Sequence, residues 1–309
     1  MGPVTARSVV GGAVAAVLLS SCGAGGSDPG PRPAAVPSPT SAPSSSARPS
    51  VDTALAELES TYDTRLGVHA VDTGTGRIVS WRAGERFAFA STIKAPLAGA
   101  VLDRLSREEL SRVVTYDASD LVPYSPITEQ HLVDGMTVRE LIDAALRYSD
   151  NTAANLLFDV IGGPDGLDRA LDRLGDRVTD PERTEPDLNT AVPGDPRDTT
   201  TPEALATTLR TYLLGEQLPR LDRDFLRTTM VDNTTGDELI RAGVPTDWTV
   251  ADKTGSADHG VRNDVAVAYP PGRAPIVIAV MSSRDGVDDA HDDRVVASAT
   301  EIVVDALER

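Results

Sequence analysis

The 309-residue sequence predicts an α+β fold, an α/β sandwich. Its antiparallel sheet is assembled from strands at the N- and C-terminal ends and flanked by helices, with an all-helical lobe inserted between them. Three observations predict it. Strand-like patterns are confined to residues 66–81 and 249–281, helical apolar spacing fills most of 91–213, and an amphipathic helix is expected at each end of the folded part. With 40% hydrophobic and 25% charged residues, the chain has the balance of a soluble globular protein with room for a substantial core.

Residues 1–21 read as an export signal: Arg7 supplies a thin positive start, and the apolar run 9–19 is too short for a comfortable membrane span. Leu19-Ser20-Ser21-Cys22 resembles a bacterial lipobox, which implies lipidation of Cys22 and export to the outer face of the cell membrane, with a secreted form also open. Cys22 is the only cysteine, so no internal disulfide can form. The Pro/Ser-rich stretch completing residues 22–50 cannot bury enough surface to offset its ordering entropy and reads as a tether. The folded domain is placed at 51–309, with an α/β lobe from 51–87 and 231–309 and a helical lobe from 88–230.

Within that domain, Val51–Tyr62 has helical spacing. Strands are expected over 66–71 and 78–81, joined by the turn Thr73-Gly74-Thr75-Gly76. Helices broken by Pro- and Asp-rich loops follow, one of them opening with Thr201 as N-cap and Pro202 at the first helical position. Strands over 249–254, 264–269 and 276–281 precede a closing helix over 294–307.

The formal charge is −18; residues 1–50 hold three arginines against one aspartate, +2, so the remainder carries −20. A general nucleic-acid binder, which needs a basic face, is excluded, and the acidity reads as a solvated surface. An anionic ligand would need a local cationic pocket. His69, His131, His259 and His291 are scattered without zinc-site spacing, and His259 is expected on an exposed loop. The Asp-rich stretch 285–293 lacks EF-hand spacing and reads as a solvated turn. No phosphate loop is present, and no metal or cofactor is expected.

Of 29 basic residues only Lys94 and Lys253 are lysines. Lysine, unlike arginine, loses its proton when its surroundings are tuned. Both lie in serine-containing motifs, Ser91-Thr92-Ile93-Lys94 and Lys253-Thr254-Gly255-Ser256. Residues three apart share a helix face, which places Lys94 over Ser91, and a serine hydroxyl becomes nucleophilic once a neighbouring base takes its proton.

Ser149-Asp150-Asn151 lies between them in the chain, at an expected loop-to-helix junction. S-x-x-K, S-D-N and K-T-G in this order resemble the penicillin-recognising serine acyl enzymes. Arg183-Thr184-Glu185-Pro186-Asp187-Leu188-Asn189 further resembles the Ω-loop of the class A serine β-lactamases, and the resemblance covers nearly all of 51–309.

That resemblance implies a hydrolase of β-lactams conferring antibiotic resistance. Ser91 would form the acyl-enzyme, Lys94 would shuttle its proton with a pKa lowered by crowding from Lys253, and Ser149 would relay a proton to the leaving nitrogen. Glu185, placed with Asn189, would activate the deacylating water; Lys94 and Glu185 both stand as candidates for the acylation base. Backbone N–H groups of Ser91 and Ser256 would form the oxyanion hole. Lys253, Thr254, Ser256 and Arg262 would hold the substrate carboxylate, Asn151 its side-chain amide, and Tyr124 would wall the entrance. Arg183 and Asp198 would close the loop as an ion pair.

The partners implied are a small-molecule β-lactam and the membrane through the lipid alone, for a monomer that binds no nucleic acid. Two other readings compete: a D,D-peptidase or penicillin-binding protein that acylates without efficient turnover, and a non-catalytic tethered binding lipoprotein. Glu185 and Asn189 favour the hydrolase, because neither alternative needs a deacylating carboxylate.

Overall fold

In the computed structural model, residues 49–309 are described; the export signal, Cys22 and residues 22–48 of the tether lie outside them. Ser50 opens the first helix, α1 (Val51–Tyr62), by accepting from the Thr53 N–H, which satisfies one of the donors a helix start leaves free. The hairpin β1 (Arg65–Asp72) and β2 (Ile78–Trp81) follows, and then the short β3 (Phe87–Ala88). The helical part comprises α2 (Lys94–Arg104), α3 (Arg107–Leu110), the pair β4 (Val113–Val114) and β5 (Met136–Thr137), α4 (Val138–Arg147), α5 (Asn151–Ile161) and α6 (Pro164–Leu174). After a long loop come β6 (Thr199–Thr200), α7 (Pro202–Leu214) and α8 (Arg220–Val231). The chain closes with β7 (Thr249–Ala257), β8 (Val261–Tyr269), β9 (Ile276–Ser283) and α9 (Asp293–Leu307).

The strands from the two ends of the chain interleave into one antiparallel sheet of order β2-β1-β9-β8-β7. Period-two alternation decides which core each side chain joins. On β9, Ile276, Ile278 and Val280 pack with Leu55 of α1 and Val296 and Val303 of α9, while Val277, Ala279 and Met281 face the helical part. That second core continues through Leu97, Leu141, Leu157 and Leu209, one from each of α2, α4, α5 and α7. Thr201 caps α7 through the Ala204 N–H with Pro202 at its start, as the sequence predicts.

Four strands run longer than their apolar signal, β1 and β9 by two residues and β7 and β8 by three. β7 continues through Gly255 and Ser256, and β8 begins at Val261, so Ser256 pairs with Arg262 and Thr254 with Asp264. Polar residues hid these ends because pocket and solvent look alike in a hydrophobicity pattern. The last strand, β7, is an edge whose outer side faces the turn that carries Ser91.

Candidate active site

Ser91 lies in a 3-10 turn, Ala90–Ile93, immediately before α2, which begins at Lys94 rather than at the serine. Ala90 enters that turn with φ +47°, a strained region for a residue with a Cβ. Asn263 on β8 pins the turn by donating from Nδ2 to the carbonyls of Ala88 and Phe89. Gly255 lets β7 come against it: a Cβ there would stand 3.0 Å from the Phe89 carbonyl oxygen and 3.1 Å from the Thr92 nitrogen.

The S-D-N segment is held by its middle residue. Asp150 is the N-cap of α5, accepting from the Ala153 N–H, and also accepts from the backbone N–H groups of Ile127 and Thr128. It thereby ties the loop after Tyr124 to the helix that follows Ser149. Tyr124 (φ +63°) and Ser149 (φ +57°) are both bent into left-handed conformations. Nothing in their residue types announces this, since neither is Gly or Asn.

Three groups meet around the Ser91 hydroxyl. Lys94 Nζ lies 3.0 Å from Ser91 Oγ, and Glu185 Oε1 lies 3.4 Å from the same oxygen and 3.0 Å from Nζ. Either base is therefore within reach of the nucleophile. Nζ also donates to the Ser149 carbonyl at 2.8 Å and to Asn151 Oδ1 at 2.6 Å. Lys253 Nζ approaches Ser149 Oγ at 3.1 Å from the other side, so Ser149 stands between the two lysines.

Both ammonium groups are fully buried. Burial pushes the Lys94 pKa down, and Glu185 and Asp150 oppose it. The Lys94 pKa is thus lowered as expected, with burial as the leading cause, and the two ammoniums repel one another. Lys253 is lowered to about 7, first by burial and then by Lys94.

The loop carrying Glu185 is anchored on both arms. Asp198 is buried (1% exposed), pairs with Arg183 Nε, and also accepts from the backbone N–H groups of Glu182 and Arg183. The Glu185–Pro186 peptide is cis. Asn155 brackets the glutamate backbone, accepting from its N–H and donating to its carbonyl. Asn189 Nδ2 donates to Glu185 Oε2, while the buried Asn189 Oδ1 has no protein partner.

A pocket of about 250 Å³ is lined by Ser91, Tyr124, Ser149, Asn151 and Asn189, and by Thr235, Thr254, Gly255, Ser256 and Arg262. Lys94, Glu185 and Lys253 lie behind its wall, bonded to lining residues. Every site residue predicted for substrate or chemistry is thus in the pocket or bonded to it; Arg183 and Asp198 stand further back at the loop's base. Asn151 already uses both ends of its amide inside the protein, on Lys94 and on the Pro123 carbonyl.

Sequence reasoning missed several contributors. Arg262 Nε is held at 2.6 Å by Asp293, and His291 lies 3.4 Å from Ser256 Oγ, so the Asp-rich turn reaches the pocket rim rather than being only solvated. His259, expected exposed, is 9% exposed and fixes the same segment through the Asp285 carbonyl and two backbone bonds. Thr235 meets Thr254 hydroxyl to hydroxyl at 2.6 Å and donates to Asn233 Oδ1. Thr235 lies in Asn233-Thr234-Thr235-Gly236-Asp237, a segment that resembles the family, and Asn155 had a readable signal because it sits four residues after Asn151 on one helix face.

The chain is similar to known proteins in sequence and in fold. Residues 50–307 match the model of the Beta-lactamase enzyme family. The chain belongs to the class A β-lactamases. It is 53% identical over 253 residues to a β-lactamase of Bacillus licheniformis, covering 82% of each chain. To one of Amycolatopsis lactamdurans it is 54% identical over 259 residues, covering 84% of this chain and 86% of that one. Among solved structures, a class A β-lactamase from Clostridium kluyveri superposes with a TM-score of 0.83 at 46% identity, over 84% of this chain and 98% of that one. A halotolerant bacterial β-lactamase gives 0.82 at 52% identity, over 82% and 98% respectively. Membership makes the chain an enzyme that hydrolyses β-lactams. Among the described residues, no group of three His, Cys, Asp or Glu side chains is disposed to hold a metal ion.

Proposed function

We propose that this β-lactamase works through an acyl-enzyme on Ser91 that is released by water activated at Glu185. Ser91 Oγ bonds to the lactam carbonyl carbon as the C–N bond breaks. Its proton passes to the Lys94–Glu185 pair, and Ser149 returns one to the leaving nitrogen. The N–H groups of Ser91 and Ser256 receive the developing oxyanion, an interaction worth about 3–4 kcal/mol per donor. Water then attacks the ester carbonyl, gives its proton to Glu185, and Ser91 Oγ leaves as the hydroxyl.

The observation that carries this reading is the environment of Glu185. One carboxylate oxygen faces Ser91 and Lys94, the other takes Asn189 Nδ2, and Asn189 Oδ1 has no protein partner. A water between Glu185 and Asn189 would satisfy that oxygen and stand beside the ester. A binding protein or a slow-turnover acyl enzyme has no use for such a pair.

Lys253, Thr254, Ser256 and Arg262 receive the substrate carboxylate in this reading, Asn151 its amide, and Tyr124 covers the mouth. The enzyme works as an exported monomer tethered through lipidated Cys22 and protects its cell from β-lactams. Its folded part divides into an α/β lobe, 51–87 and 231–309, and a helical lobe, 88–230. Conversion of Glu185→Ala tests the chemistry. Turnover of a chromogenic cephalosporin should fall about 10²–10⁴-fold, and intact-mass analysis should find a covalent adduct on Ser91. Wild-type turnover in that variant would refute the water-activating role, and stoichiometric labelling of the native protein without turnover would favour the penicillin-binding reading.

A further inference from the structure

A second concavity, about 520 Å³, opens beside the active site between the return arm of the Glu185 loop and the sheet end where β1 begins and β9 finishes. It shares no lining residue with the active-site pocket. Four arginines from separate segments line it: Arg65, Arg86, Arg197 and Arg284. The whole chain carries 47 acidic against 29 basic residues, yet this groove holds four guanidiniums and three carboxylates.

Two of those cations lie outside ion-pair distance of any described carboxylate, although Arg284 also acts electrostatically on Asp292. Glu85 takes Arg65 at 2.8 Å and Asp195 takes Arg197 at 2.7 Å, while the exposed Asp285 makes no ion pair among the described residues. Arg86 and Arg284 pair with no described carboxylate. Each is nevertheless held in place. Arg86 donates from Nη1 to Thr199 Oγ1 at 2.8 Å. Arg284 lays its stem against Gly260 and donates from Nη2 to the Tyr62 carbonyl at 3.0 Å. A guanidinium has five N–H donors in a fixed fork, so most of each fork stays available.

We propose that this groove binds a phosphate group, with Arg86 and Arg284 as its principal donors. Two guanidiniums outside ion-pair reach of a carboxylate, hydrogen-bonded to neutral acceptors, suit an oxyanion that accepts several charge-assisted bonds at once. Phe87, Val192, Pro193 and Val261 in the wall, and a volume well above that of phosphate itself, fit a phosphate carried on a larger molecule. The ligand would touch the arm 191–197, which descends from Asn189.

Thermal unfolding of the full chain tests this, with millimolar inorganic phosphate against chloride at matched ionic strength. The expected result is a saturable rise in midpoint with phosphate. Its half-saturating concentration should increase at least about tenfold in Arg86→Gln/Arg284→Gln, while cephalosporin turnover without phosphate is unchanged. Arg86→Gln alone, which leaves the Arg284–Tyr62 bond intact, should produce part of that increase. Absence of any shift beyond chloride overturns the proposal. So does a shift that survives the double variant unchanged, because Lys253 and Arg262 in the active site offer the competing anion locus. Sedimentation on phosphatidylglycerol vesicles separates the sources: loss of binding in the double variant assigns the phosphate to a lipid headgroup, and equal binding of both proteins assigns it to a soluble ligand.

Discussion

The two faces of the sheet treat buried charge differently. On the side of α1 and α9 the core is aliphatic, and it holds two buried acids on β7 and β8. Asp252 meets Arg241 at 2.6 Å and Asn233 at 2.6 Å, and burial beside Asp252 pushes the Asp264 pKa far up, which favours its uncharged form. On the side of the helical lobe, Lys94 pairs with Glu185 while the equally buried Lys253 makes no ion pair among the described residues, with Asp150, Asp252 and Asp264 acting on the two lysines from further away. Uncompensated buried charge costs stability, and a site that keeps it holds the charge ready for a ligand or a proton transfer. One face is built to stay folded and the other to react.

The widest separation of those roles should come from Lys94→Arg. Charge is retained, but a guanidinium neither fits the fully enclosed ammonium site nor releases a proton. Acylation of Ser91 should fall about 10²–10⁴-fold while the thermal midpoint changes far less in relative terms, measured by burst kinetics and thermal unfolding of the same sample. Near-normal acylation would mean that the buried ammonium is structural, and the contrast between the faces would collapse.

Leu55→Ala probes the opposite face. The side chain is fully buried between α1 and the sheet, so its removal should cost about 2–5 kcal/mol in denaturant unfolding, with kcat/KM unchanged under native conditions. A kinetic defect of the same size would show that the two cores are mechanically one.

Which parts of this contrast could be read in advance follows from what a hydrophobic pattern encodes. The aliphatic face was legible: Val51–Tyr62 and Ile78–Trp81 coincide with their expected bounds, and the apolar run of β9 led directly to the middle of the sheet. The reactive face was legible only as motifs. Ser91, Lys94, Ser149, Glu185 and Lys253 come together, but periodicity had no means of placing Asn263 beneath the nucleophile turn, or Asp293 and His291 at the rim. Those residues act through contacts across 31 to 175 positions of sequence, and the last two sit in a stretch that looks like solvated acid. Positive φ at Ala90, Tyr124 and Ser149 was equally invisible, because the surrounding packing imposes it on residue types that do not favour it.

Lys253 sharpens the comparison most finely, because one proton there moves stability and function in opposite directions. Its native pKa of about 7 lies below the ordinary 10.5, through burial first and Lys94 second. Between those values the unfolded chain binds more protons than the native one, so this group's contribution to stability grows as pH rises through the window. Below about 7 both states carry the charge, and the native state bears the full cost of enclosing it. The substrate carboxylate, in contrast, meets an ammonium only while that charge persists. KM should therefore rise about tenfold as pH increases past neutrality, the difference between a charged and a neutral donor, while the denaturant midpoint climbs. Lys253→Arg, whose charge does not titrate in this range, should flatten the KM profile. A flat KM profile in the native enzyme would instead place the carboxylate on Arg262 alone and leave Lys253 as a partner of Ser149.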